Sequence, residues 1–170
     1  NPTGNLLDEV AMLRVCTELA GKALVVVDEA YVEFCDRASL TARLAGFPNL
    51  VILRTLSKAY ALAGARLGTA IASEEVIGLL RRIIPPYAIP ASTVDEVMAL
   101  TEAPQRALSA ARIRTLLDER SRMHERLERC ANVARVFPSD ANFLLIECRD
   151  AGQFFAAGKS AGLIVRDFSS

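Results

Sequence analysis

The sequence has no tryptophan and one histidine in 170 residues. A mechanism built on a histidine pair therefore lacks its parts, and a Ser-His-Asp triad would have to use His124. That residue sits in "RSRMHERLER", a densely charged stretch that reads as a solvated helix face. Net charge is also missing: 20 basic residues balance 20 acidic ones, and the basic ones are scattered. No field draws the chain to nucleic acid or to an anionic membrane. Long apolar runs are absent, which argues against a membrane span, and the opening residues do not read as a secretory signal. Cys16, Cys35, Cys130 and Cys148 form no C-x-x-C pair. A zinc or redox motif is therefore not expected; reduced thiols packed as small apolar groups in a cytoplasmic protein are.

What is present suits a folded protein. Hydrophobic residues make up 52% of the chain, enough for a core. The length suits one domain, or one domain plus part of another. The first residues, "NPTG", are turn chemistry without an initiator Met, and read as the interior of a longer polypeptide.

The spacing of Leu6, Val10, Leu13 and Ala20 predicts an amphipathic helix over 6–20, with Gly21 to end it. "ALVVVDE" reads as a strand buried on both faces. A short helix over 40–45 and a second buried strand over 50–54 follow. The third strand, over 67–72, is expected to be antiparallel, because too few residues separate it from the second for a crossover helix. Ser73 and Glu75 mark the start of a helix ending near 84. "PPYAIPAS" marks a boundary. Beyond it, helices are predicted over 93–101 and 104–132. Leu116, Met123, Leu127 and Ala131 form one core-facing stripe on the second. Strands over 133–137 and 142–148, a helix over 153–161 and a strand over 163–166 complete the reading. Strand-helix-strand order implies an α/β fold, followed by a smaller α+β part.

Ligands of such sheets gather beyond the carboxyl ends of the strands. Asp28 closes the first strand and Lys58 lies just past the second, so both are expected in one crevice. Singly, each is weak: an Asp can cap a loop and a loop Lys is usually solvated. Together they describe one chemistry. A lysine amine can form a Schiff base with an aldehyde cofactor such as pyridoxal phosphate. Asp28 can hold the pyridine nitrogen protonated. The hydroxyls of Thr55 and Ser57, with the guanidinium of Arg66, suit a phosphate dianion.

"NPTG", "VVVDEAYVEF", "RTLSKAYALAGARLG" and "SDANFLLIE" together resemble, in order, the motifs of fold-type I pyridoxal-phosphate aminotransferases. The likeness is greatest to the histidinol-phosphate branch of that family and covers nearly the whole chain. It implies that residues 1–88 are the C-terminal part of the large cofactor-binding domain, whose mostly parallel sheet has one antiparallel strand. Residues 89–170 would be a connecting long helix and a partial small α+β domain. It implies that Lys58 carries the cofactor and later moves the proton between substrate and cofactor carbons. Asp28 would face the pyridinium, Tyr31 and Asn1 would donate to the ring oxygen, and Arg166 would contact the anionic end of the substrate. An amino donor, a 2-oxo acid acceptor and a homodimer are implied too, with no metal. The family's first half has no counterpart here, so weak cofactor binding and negligible turnover are expected of these 170 residues alone. Aromatic aminotransferases and a threonine-phosphate decarboxylase share these motifs. A non-catalytic fragment that only folds or associates is a further alternative.

Overall fold

The computed structural model describes residues 3–100 and 102–169. They divide into two compact units, Leu6–Arg114 and Asn1–Asn5 with Thr115–Ser170.

The first unit opens with helix α1, Glu9–Glu18. Asp8 caps it, its Oδ1 accepting from the Ala11 amide at 2.8 Å, so the helix starts later than the apolar spacing predicts. Gly21, at φ +71°, takes the left-handed turn that follows. Strand β1 (Val25–Asp28) pairs in parallel with β2 (Leu50–Thr55), and β2 pairs antiparallel with β3 (Gly68–Ile71). The short 12-residue link does what loop length demands: it turns the chain straight back onto its neighbour. Helices α2 (Glu74–Ile83) and α3 (Ala91–Leu100) follow. The segment 40–46 is a 3-10 helix.

One face of this sheet holds the core. Leu50 and Ile52 are fully buried with Cys16 and Leu40, and Met12, Val25, Val27 and Ile71 pack around them. Asn49 pins α1 to the sheet: its Nδ2 donates to the carbonyls of Cys16 (2.9 Å) and Ala23 (3.2 Å). The opposite face is covered at Val51, 5% exposed, but open at Val26, 56% exposed, and at Leu53, 39% exposed. The unbroken run "ALVVVD" thus has one buried and one open face, against the expectation of two-sided burial. A continuous apolar run does not say which face is covered.

The second unit carries β4 (Val133–Val136) and β5 (Ile146–Cys148), an antiparallel pair, then helix α5, Ala151–Ser160. Gly4 belongs here, at φ +76°; a Cβ there would meet Ser139 Oγ at 2.5 Å. Its carbonyl accepts from the Asp140 amide at 2.8 Å, so the turn needs glycine for both backbone and space. Helix α4, Ala103–Glu128, spans the division between the units. Two expectations fail in this half. The α4 stripe is not in a core: Leu116 and Met123 are 42% and 51% exposed, and Ala131 lies past the helix end. Residues 163–166 form no strand, because no neighbouring strand completes a ladder with them; Ile164 is 94% exposed. No helix among the described residues is long and apolar enough to cross a membrane.

Candidate functional site

The register of β1 with β2 sets Asp28 opposite Leu53, so β2 runs two residues further, to Thr55, before the loop bearing Lys58. Both candidate loops therefore leave the same edge of the sheet. Asp28 shares the open face with Leu53, and its carboxylate is exposed. Its Oδ1 accepts from the Ala30 amide at 2.9 Å, which turns the chain after the strand. The next residue does the opposite work. Glu29 is buried, and its two oxygens accept from Ser39 Oγ (2.6 Å) and the Leu40 amide (2.7 Å). The "DE" pair thus splits into an outward carboxylate and an inward one that caps the 3-10 helix.

The turn after β1 brings Tyr31 to the lysine loop. Lys58 Nζ lies over the Tyr31 ring, 5.4 Å from its centre. An ammonium at that distance is attracted by the ring's negative face. Thr55 and Ser57 lie together, with the Thr55 hydroxyl donating to Ser57 Oγ at 2.9 Å. The Ser57 amide returns a bond to Thr55 Oγ1 at 3.1 Å. Thr55 Oγ1 also lies 3.3 Å from the Leu67 carbonyl, which closes the loop at its base.

Arg66 differs from expectation. Its guanidinium donates to the Ala63 carbonyl at 2.9 Å, within its own turn, and no contact joins it to Thr55 or Ser57. Its backbone is left-handed, at φ +53°, as is Ala61 at φ +58°. Residues other than glycine are rarely held there, and such strain concentrates at functional sites. Arg166 lies in the exposed C-terminal stretch, its guanidinium 5.6 Å from the centre of the Phe168 ring. Asn1 lies outside the described residues.

Sequence reasoning passed over three residues beside this site. Arg54 Nη2 meets Glu33 Oε1 at 2.5 Å, with side chains only 31% and 12% exposed. Tyr60 is held above the usual phenol range by burial, with the Glu33 carboxylate adding to the rise and Arg54 opposing it. A charge at the end of an otherwise apolar strand, "VILR", was the available signal.

The residues present fit a phosphate-bearing aldehyde cofactor: an exposed amine beside an aromatic ring, an exposed carboxylate on the same sheet edge, and paired hydroxyls in a strained loop.

Known proteins resemble this chain throughout. The family model described as aminotransferase class I and II matches residues 1–167. A histidinol-phosphate aminotransferase of Xanthomonas euvesicatoria is 45% identical over 167 residues, which are 98% of this chain and 46% of that protein. The chain spans about half the length of the curated relatives it matches. The crystal structure of the histidinol-phosphate aminotransferase from Clostridium acetobutylicum superposes with a TM-score of 0.85 at 21% identity, covering 98% of this chain and 51% of that one. That from Sinorhizobium meliloti, in complex with pyridoxal-5'-phosphate, gives 0.78 at 24% identity, covering 98% and 46%. These two likenesses establish the fold, a mixed α/β sheet with one antiparallel strand followed by an antiparallel pair. With the family match over nearly its whole length, the chain belongs to the class I and II aminotransferases.

Proposed function

We propose that this chain carries the lysine side of a pyridoxal-phosphate site, in an enzyme that moves an amino group between histidinol phosphate and 2-oxoglutarate in histidine biosynthesis. One observation carries the reading: Lys58, three residues past β2, lies over the ring of Tyr31, three residues past the end of β1. The substrate is supported by the 45% identity with the Xanthomonas protein. Residues 1–88 are assigned to the large cofactor-binding domain and 89–170 to the connecting helix and small domain. The family's homodimer and a cytoplasmic setting complete the proposal.

When bound, pyridoxal phosphate supplies an electron sink for charge at the substrate α-carbon. The chain's own groups do the rest. The Asp28 carboxylate, already exposed on the open face, holds the pyridine nitrogen in its charged form by opposite charge. Tyr31 and Asn1 would donate to the ring oxygen. Thr55 and Ser57 reorient their hydroxyls from each other to phosphate oxygens. Arg66, now bonded to the Ala63 carbonyl, would hold the phosphate by a stronger, charge-assisted bond. The Lys58 amine would hold the cofactor and serve as the base that moves a proton at the substrate α-carbon. Arg166 holds the anionic end of the substrate.

A substrate panel tests the reading. Amino transfer to 2-oxoglutarate is expected to run faster from histidinol phosphate than from phenylalanine or tyrosine. Carbon dioxide release from threonine phosphate, with no need for a 2-oxo acid, would favour a decarboxylase instead.

A further inference from the structure

The Glu33–Arg54 pair is not part of the cofactor set, yet it joins that set's two halves. Glu33 lies two residues after Tyr31, in the 3-10 turn Val32–Phe34. Arg54 directly precedes Thr55 at the end of β2. Their contact at 2.5 Å spans the two strand ends, and both side chains are largely withdrawn from water. Solvated pairs of this kind contribute little, but a half-buried pair resists separation, because Glu33, only 12% exposed, would keep little water if left alone. The second carboxylate oxygen, Glu33 Oε2, is buried without a partner at full hydrogen-bond geometry, and the Tyr60 phenol is the side chain that interacts with the carboxylate there. A carboxylate kept in this state, rather than replaced by an apolar side chain, costs stability. Arg54, in β2, and Tyr60, two residues past Lys58, lie on either side of the lysine in sequence, and the Glu33 charge reaches both. The pair thus clamps the Tyr31 turn to the lysine loop at their roots. The distance that results is that between Lys58 Nζ and the Tyr31 ring.

We propose that Glu33 and Arg54 are positioning residues: their ion pair fixes the Tyr31 turn against the lysine loop and so sets where the Lys58 amine stands. The inference rests on the pyridoxal reading, and its test has one arm that uses no cofactor. The sequence has three lysines, Lys22, Lys58 and Lys159, so reductive methylation with carbon-13 gives few resonances. The dimethyl-Lys58 signal is assigned by its loss in Lys58→Arg. In the wild-type protein it should be shifted upfield by the Tyr31 ring current, and the shift should vanish in Tyr31→Ala. Glu33→Gln and Arg54→Met should move it toward the Lys22 and Lys159 signals, whereas Arg54→Lys, which keeps the charge, should restore part of the shift. In the second arm, pyridoxal phosphate is titrated into the protein at its native length and the lysine-bound chromophore is followed. Each disruptive variant should weaken binding about tenfold, a change that a displaced Lys58 produces without loss of the fold. Glu33→Gln is nearly isosteric, and its melting temperature shows that the fold persists.

A folded Glu33→Gln or Arg54→Met protein with an unmoved Lys58 signal and wild-type cofactor affinity would overturn the inference. Failure of the wild-type protein to form any lysine-bound chromophore would instead overturn the pyridoxal reading, while the carbon-13 arm would still report whether the pair places Lys58.

Discussion

Asn49 offers the sharpest check on how the sheet that carries the site is anchored. Its Nδ2 donates to two main-chain carbonyls, Cys16 at 2.9 Å and Ala23 at 3.2 Å, while its Oδ1 is buried with no donor. Asn49→Ala leaves two carbonyls without their donor, at about 1–3 kcal/mol each when they stay buried. It also removes the orphaned oxygen, which returns part of that loss. The net destabilisation is therefore about 2–4 kcal/mol. Asn49→Asp keeps the shape but turns an acceptor toward both carbonyls, so at neutral pH it should be worse than alanine. Tryptophan fluorescence is not available, so far-UV circular dichroism in urea is the assay. With a slope of about 2 kcal/mol per molar urea, the midpoint of Asn49→Ala should fall by about 1–2 M. A change below about 0.5 kcal/mol, the scatter of ordinary surface substitutions, would refute the anchoring argument. An aspartate variant as stable as the alanine one would refute it equally.

Two further outcomes follow from the loop and its neighbours. Arg66 pays for a left-handed backbone, so Arg66→Gly should hold or raise stability, by up to about 1 kcal/mol, yet weaken pyridoxal phosphate binding. Loss of stability with unchanged cofactor affinity would contradict the assigned role. Tyr60 is the second case: with three tyrosines and no tryptophan, phenolate absorbance can be followed directly. Burial first, then Glu33, should make Tyr60 ionise above the ordinary phenol value of 10.0. Tyr60 is protonated in both folded and unfolded chains below that value and contributes nothing there. Above it the unfolded chain loses its proton first, so stability falls as pH rises. A Tyr60 that ionises at or below 10.0 in the folded protein would remove that expectation.

Much of this was legible in the residues because local rules decided it. A 12-residue link between β2 and β3 leaves no geometry but a return, and the antiparallel third strand follows. Asp28 and Lys58 could be placed at one sheet edge because strand direction fixes where loops leave. What stayed hidden depended on partners far along the chain. Val26 and Leu53 read as core but lie on an open face, since apolar character does not reveal what covers it. Residues 163–166 have strand composition and no ladder to join. Glu29 and Glu33 both sit in one acidic stretch, "DEAYVEF"; that one caps a 3-10 helix and the other meets Arg54 depends on residues 10 and 21 positions away. The Arg66 side chain, read with Thr55 and Ser57 as a phosphate ligand, bonds the Ala63 carbonyl, the acceptor its left-handed turn brings near.

The central claim is that Lys58 is the residue that carries pyridoxal phosphate. Its most direct test is borohydride reduction of the protein, at its native length, after incubation with the cofactor, followed by peptide mass analysis. The account predicts a visible absorbance band that reduction bleaches, with the pyridoxyl mass on the peptide containing Lys58 and no band in Lys58→Ala. The label on Lys22 or Lys159, or an unchanged band in Lys58→Ala, would contradict it.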